Sequence, residues 1–192
     1  MIRSTRKVLV LISSTFLFLP ALVLAQGGTN ACPQGAKFWQ AQCEQGAKSI
    51  VCQAGMENLF RCVITETDVI QWKKNDGSFE TTASLAALSN ANLLTALCSQ
   101  LAGPSPKTSR DTAESEYLTL LLNVCSGALP LDTQISKDGD VSSLINSFEN
   151  ALNSNVDLDQ WRKIAEKVNK GSGLDAPACP DPESIFRNIP PC

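Results

Sequence analysis

The stretch Asp111 to Gly127, DTAESEYLTLLLNVCSG, constrains the fold more than any other. Between Tyr117 and Cys125 only Thr119 and Asn123 are polar. A helix that is apolar nearly all round has to be enclosed by other elements. The stretch therefore predicts a central core helix. Its ends are marked. Asp111 can cap the start by accepting backbone N–H bonds, and Glu114, three residues on, completes a capping-box pattern. Gly127 can take the left-handed conformation that ends a helix.

The rest of the chain supplies the enclosure. Met56, Leu59, Phe60 and Val63 recur at i, i+3, i+4, i+7 and predict a short helix among the first cysteines. Ser84–Leu88 reads as a single helical turn. Ser89 or Asn90 can cap a helix over 91–102 with Leu94, Leu97, Cys98 and Leu101 on one face, stopped by Gly103-Pro104-Ser105-Pro106. Asp140 caps an amphipathic helix carrying Val141, Leu144, Ile145, Phe148 and Leu152. Asp157, with Gln160 three residues later, opens a last helix whose inner face holds Leu158, Trp161, Ala165 and Val168. One strand signal has force: Asn75-Asp76-Gly77 is a turn inside VIQWKKNDGSF, which predicts a small hairpin. The fold class is thus mainly α, a disulfide-braced bundle of four or five helices with one small hairpin.

The N-terminus says where such a chain goes. Arg3, Arg6 and Lys7 precede an apolar run from Val8 to Leu24, and Val23-Leu24-Ala25 ends it on small residues. That is the plan of a secretory signal peptide, residues 1–25. The run is marginal in length for a membrane anchor, and Pro20 favours cleavage over anchoring. No later stretch is long and apolar enough to span a bilayer. Residues 26–192 then form one α-helical domain with an extended tail from Asp175 to Cys192 that holds five prolines. Without residues 1–25, thirteen basic residues face nineteen acidic ones, a net charge of −6. So acidic a chain is a poor nucleic-acid binder, because phosphate contacts need Lys and Arg.

All eight cysteines, Cys32, Cys43, Cys52, Cys62, Cys98, Cys125, Cys179 and Cys192, follow the export segment. An even number in an exported chain reads as four disulfides. Zinc spacings are absent: there is no Cys-x-x-Cys pair and no histidine. Eight cysteines allow 105 pairings. Cys98 and Cys125 lie on inner faces of neighbouring helices and form the favoured pair, although a simple antiparallel register opposes it and the helices would have to cross. Cys32 would then join Cys179 or Cys192 and tie the ends together. The alternative links Cys98 to Cys43, Cys52 or Cys62.

Three elements resemble a set of exported bacterial proteins. Leu122-Asn123-Val124-Cys125-Ser126-Gly127 resembles their helix ending in Leu-Asn-Val-x-x-Gly, and Val168-Asn169-Lys170-Gly171 their Asn-x-Gly element. Cys32 to Trp39 is similar to their Gly-aromatic-Trp-Lys element, but with Gly35 and Trp39 farther apart and Gln40 in place of the lysine. The resemblance covers about residues 32–171, with the Cys43–Cys62 segment as an addition. It implies export and fold, and transfers no catalytic residue.

Chemistry is sparse. Without histidine, Ser-His-Asp and Cys-His catalysis are excluded. No dinucleotide or P-loop fingerprint occurs. The acidic pairs Glu66/Asp68, Glu114/Glu116, Asp138/Asp140 and Asp157/Asp159 could in principle serve glycoside hydrolysis, but caps and solvated charges account for them. Asp138-Gly139-Asp140 fails as a calcium loop, because the first and twelfth positions would be Gln134 and Ile145. No catalytic, cofactor-binding or metal residue is assigned. Phe38 and Trp39 stand as an aromatic pair that either plugs the core or offers a stacking surface for a sugar or protein partner. The leading function is an exported, non-catalytic interaction or structural module whose partner is an extracellular protein or a polysaccharide. The alternatives are a carboxylate-dependent hydrolase of polysaccharide and a secreted enzyme inhibitor presenting the loop 103–110.

Overall fold

A computed structural model describes residues 32–45, 49–136 and 139–175. The signal segment 1–25, the proline-rich tail, and the cysteines Cys179 and Cys192 lie outside the described residues.

The described chain is mainly helical: α1 (Ala36–Cys43), α2 (Gln53–Glu66), a hairpin of β1 (Gln71–Lys73) and β2 (Phe79–Thr81), α3 (Thr82–Ala86), α4 (Asn90–Ala102), α5 (Ser109–Cys125), β3 (Gln134–Ile135), β4 (Gly139–Asp140), α6 (Val141–Ser154) and α7 (Leu158–Asn169). Five helices are long, as expected; α3 is the short turn expected at Ser84–Leu88, begun two residues earlier, and α1 is a short addition. β1 and β2 pair antiparallel with Trp72 opposite Glu80, and Gly77 turns the hairpin at φ +85°. The β3–β4 pair is a second, two-residue hairpin that the sequence did not signal. No described helix is long and apolar enough to cross a membrane.

α5 is the enclosed helix. It packs against α1, α2, α4, α6 and α7, which is why Tyr117, Leu118, Leu120, Leu121 and Leu122 are all buried. Its start differs from the expected one. The N-cap is Thr108, whose side chain accepts from the Asp111 N–H while Asp111 Oδ2 accepts from Thr108 N at 2.7 Å. The box sits one turn earlier because Glu114, the expected partner, is drawn into the interior. Its end is as read: Gly127 takes φ +77°, and Ser126 N and Leu129 N close on the carbonyls of Leu122 and Asn123.

The other caps divide. Ser89 and Asp140 accept from Asn92 N and Ser143 N as expected. Asp157 stands at the start of α7, but in a left-handed conformation with no side-chain cap bond. The α6 face of Val141, Leu144, Ile145, Phe148 and Leu152 is buried throughout. On α4 the inner face is rotated relative to the expected one: Leu93, Leu97, Gln100 and Leu101 are buried, and Leu94 and Cys98 sit at its margin.

Two disulfides brace the bundle, Cys43–Cys98 and Cys62–Cys125. The expected Cys98–Cys125 pair is therefore wrong. α4 and α5 form a helical hairpin, so Cys98 near the end of α4 is remote from Cys125 at the far end of α5. Each instead meets the N-terminal segment, since α1 packs on α4 and α2 packs on α5. Cys32 is also disulfide-bonded; Cys179 and Cys192, the partners expected for it, lie outside the described residues. Cys52 forms the N-cap position of α2.

Candidate functional site

Trp39 is not a surface residue. It is wholly buried (0 % exposed), with half-buried Phe38 edge-on to it at 5.1 Å between ring centroids. α1 lies flat on the bundle, so the residue facing inward enters the core and its neighbour lies along the seam. The indole Nε1 donates to Asn123 Oδ1 at 3.2 Å. The same oxygen accepts from Gln34 N at 2.7 Å, and Asn123 Nδ2 donates to Gln34 O at 3.0 Å and to Asn169 Oδ1 at 3.1 Å. Asn169 in turn donates to Glu116 O and Oε2. The three stretches singled out in the sequence, 32–39, 122–127 and 168–171, thus converge on one buried amide. Their role is architectural: Asn123 joins the entry segment, the central helix and the last helix in a fully occupied polar knot.

The pair Glu114/Glu116 is divided between two environments. Glu116 belongs to that knot, and burial raises its pKa. Glu114 lies elsewhere, under the hairpin, with no exposed surface. Asp140 is a cap, Asp138 lies outside the described residues, and Asp157 and Asp159 are exposed at the start of α7.

The interior around Glu114 leads to a site outside the residues expected from the sequence. Lys73 N donates to both of its oxygens at 3.2 and 3.0 Å, Arg110 Nε donates at 2.6 Å, and Gln100 Nε2 donates to Oε2. Arg110 also donates to Gln71 O and Leu152 O. One ion pair therefore staples the hairpin to α5 and α6. Beside it Lys73 Nζ meets Asp111 at 3.0 Å. Burial would raise the Asp111 pKa, but the Thr108 hydrogen bonds and Lys73 outweigh it and hold the carboxyl low. For Glu114 burial wins over Arg110, and its pKa is pushed up to about 7.

A stability dependence follows. Below its unfolded pKa, near 4.5, Glu114 is protonated in both states and its burial adds no pH-dependent cost. Between there and about 7 the native state holds a proton that the unfolded state has released, so stability falls as pH rises. The full cost, present above about pH 7, is about 3 kcal/mol at 1.36 kcal/mol per pK unit. Glu114→Gln should abolish this trend, measured as urea unfolding free energies at pH 5 and pH 8. A wild-type difference between the two pH values that persists unchanged in the variant would refute it.

On the outer side of Gln100 lies a cleft of about 280 Å³ between the β1–β2 hairpin, α3 and α4. Trp72, Leu85 and Leu97 form its floor, Ala96 one wall, and Lys74, Asp76 and Glu80 its rim. Asn75 Nδ2 donates to Ser99 Oγ at 2.6 Å and closes one end. The rim carboxylates are engaged, Asp76 with Ser78 at 2.6 Å and Glu80 with Ser84 at 3.0 Å. The Ser78 bonds hold the Asp76 pKa below the usual carboxylate range. The only sequence signal for the cleft was a glutamine within the apolar spacing of Leu93, Leu97 and Leu101. No family model matches the chain, and no curated protein or solved structure matches it significantly, so the geometry of this cleft carries the functional reading.

Proposed function

We propose that this chain is an exported, non-catalytic interaction module that takes part of a partner into the cleft between the β1–β2 hairpin and α4. The observation that carries the reading is the cleft itself: an apolar floor, one inward polar side chain and a polar rim, the plan of a recognition pocket. Its volume lies below the ~300–1,000 Å³ of most small-molecule sites and suits a single side chain or ring. Binding is favoured over turnover because both rim carboxylates are engaged by serines and the raised carboxyl, Glu114, is sealed behind Gln100. Export is supported by the basic-then-apolar start of the sequence and by the two long-range disulfides.

The test is capture from cell-envelope fractions by the secreted wild-type protein and by Ala96→Trp, which fills the cleft from its wall. Capture should be lost in the variant while its circular dichroism is unchanged, and Ser99→Trp provides a second filling of the same space. Capture insensitive to both would overturn the reading. Release of reducing sugar from envelope polysaccharide, abolished by the same variants, would replace it with the hydrolase.

A further inference from the structure

Gln100 is 7 % exposed and lines the cleft, yet the one hydrogen bond of its side chain is the donation from Nε2 to Glu114. Above about pH 7, where Glu114 is ionised, that bond fixes the amide, because the carboxylate oxygens then take only a donor and are already shared with Lys73 N and Arg110 Nε. The acceptor Oε1 is thereby turned away from Glu114. No protein group among the described residues bonds to it, and it is not sealed from solvent. The cleft thus holds an aimed, unpartnered acceptor in an otherwise apolar slot. A purely aliphatic occupant would strip water from Oε1 and leave it unsatisfied.

Resting on the proposed binding function, we infer that the cleft receives a tyrosine or tryptophan side chain of a polypeptide partner, whose O–H or N–H donates to Gln100 Oε1. Such side chains join a large apolar body to one donor, which is the complement of this slot, and they commonly anchor protein interfaces. A sugar ring fits less well. It needs an open aromatic face and several polar partners, whereas Trp72 is 2 % exposed and its indole N–H is already given to Thr82 Oγ1 at 2.9 Å.

The test uses the full secreted protein at pH 8, followed by NMR at the Gln100 side-chain amide and the Trp72 indole N–H. N-acetyl-tyrosinamide and N-acetyl-tryptophanamide should shift both signals. N-acetyl-phenylalaninamide should bind about five-fold more weakly, the worth of one net hydrogen bond. Gln100→Met, which keeps the length and removes the acceptor, should erase that difference. Equal or tighter binding of the phenylalanine probe to the wild type would overturn the inference without need of the variant. So would shifts caused by chitotriose alone, or no shift with any probe. If capture from envelope fractions still responds to Ala96→Trp in those cases, only the aromatic occupant is wrong. If capture does not respond, the cleft is not the binding site.

Discussion

Replacing Cys62 and Cys125 together by serine should lower the unfolding free energy by about 4 kcal/mol. The bond closes a loop of 63 residues, and opening it returns that loop's conformational freedom to the unfolded chain. For a chain of this size the shift in Tm is of the order of 10 °C. The bond ties α2 to the last residue of α5, so its loss releases the N-terminal segment from the enclosed helix. Calorimetry of the double variant beside the wild type checks it. A loss under about 1 kcal/mol would mean that packing of α2 on α5 already restricts the unfolded chain.

Asn123→Leu should cost a comparable amount, also about 4 kcal/mol, for a different reason. Leucine keeps the branching of the asparagine side chain, though it is bulkier, and deprives the Trp39 indole N–H, the part-buried Gln34 N–H and Asn169 Oδ1 of the Asn123 amide. Each orphaned group costs about 1–3 kcal/mol, and relaxation of the segment 32–39 recovers part of the sum. Denaturant unfolding measures the total. The chemical shift of the Trp39 indole proton and the slowing of its exchange with solvent, both altered in the variant, show whether the knot is the seat of the loss. A variant as stable as the wild type would show that the amide is dispensable and that the packing around Trp39 suffices.

The helices were legible because their apolar spacing is local. Val141, Leu144, Ile145, Phe148 and Leu152 announce α6 without reference to anything else, and Asn75-Asp76-Gly77 does the same for the turn of the first hairpin. What failed were choices between local patterns of equal merit. Thr108…Asp111 and Asp111…Glu114 both have the form of a capping box, and only the hairpin lying over α5, with Lys73 N and Arg110 competing for Glu114, decides between them. Cysteine pairing failed likewise, because it is set by which helix lies against which. The sequence allows Trp39 to be either plug or stacking surface, and the partner that holds it inside, Asn123, lies 84 residues away. The cleft needed residues from three segments, and Gln100 acquires its meaning only from Glu114 behind it.

The two bonds Cys43–Cys98 and Cys62–Cys125 interleave along the chain: the first begins before the second and ends inside it, and the second begins inside the first and ends beyond it. A chain emerging N-terminus first carries Cys32, Cys43, Cys52 and Cys62 out well before Cys98 and Cys125. Closing a short loop costs less entropy than closing a long one, which favours bonds between near neighbours at that stage, and any bond among Cys43, Cys52 and Cys62 is non-native. Where cross-links form during emergence, the native pairs are reached by thiol–disulfide exchange and not by oxidation alone, because both need the part of the chain that carries Cys98 and Cys125.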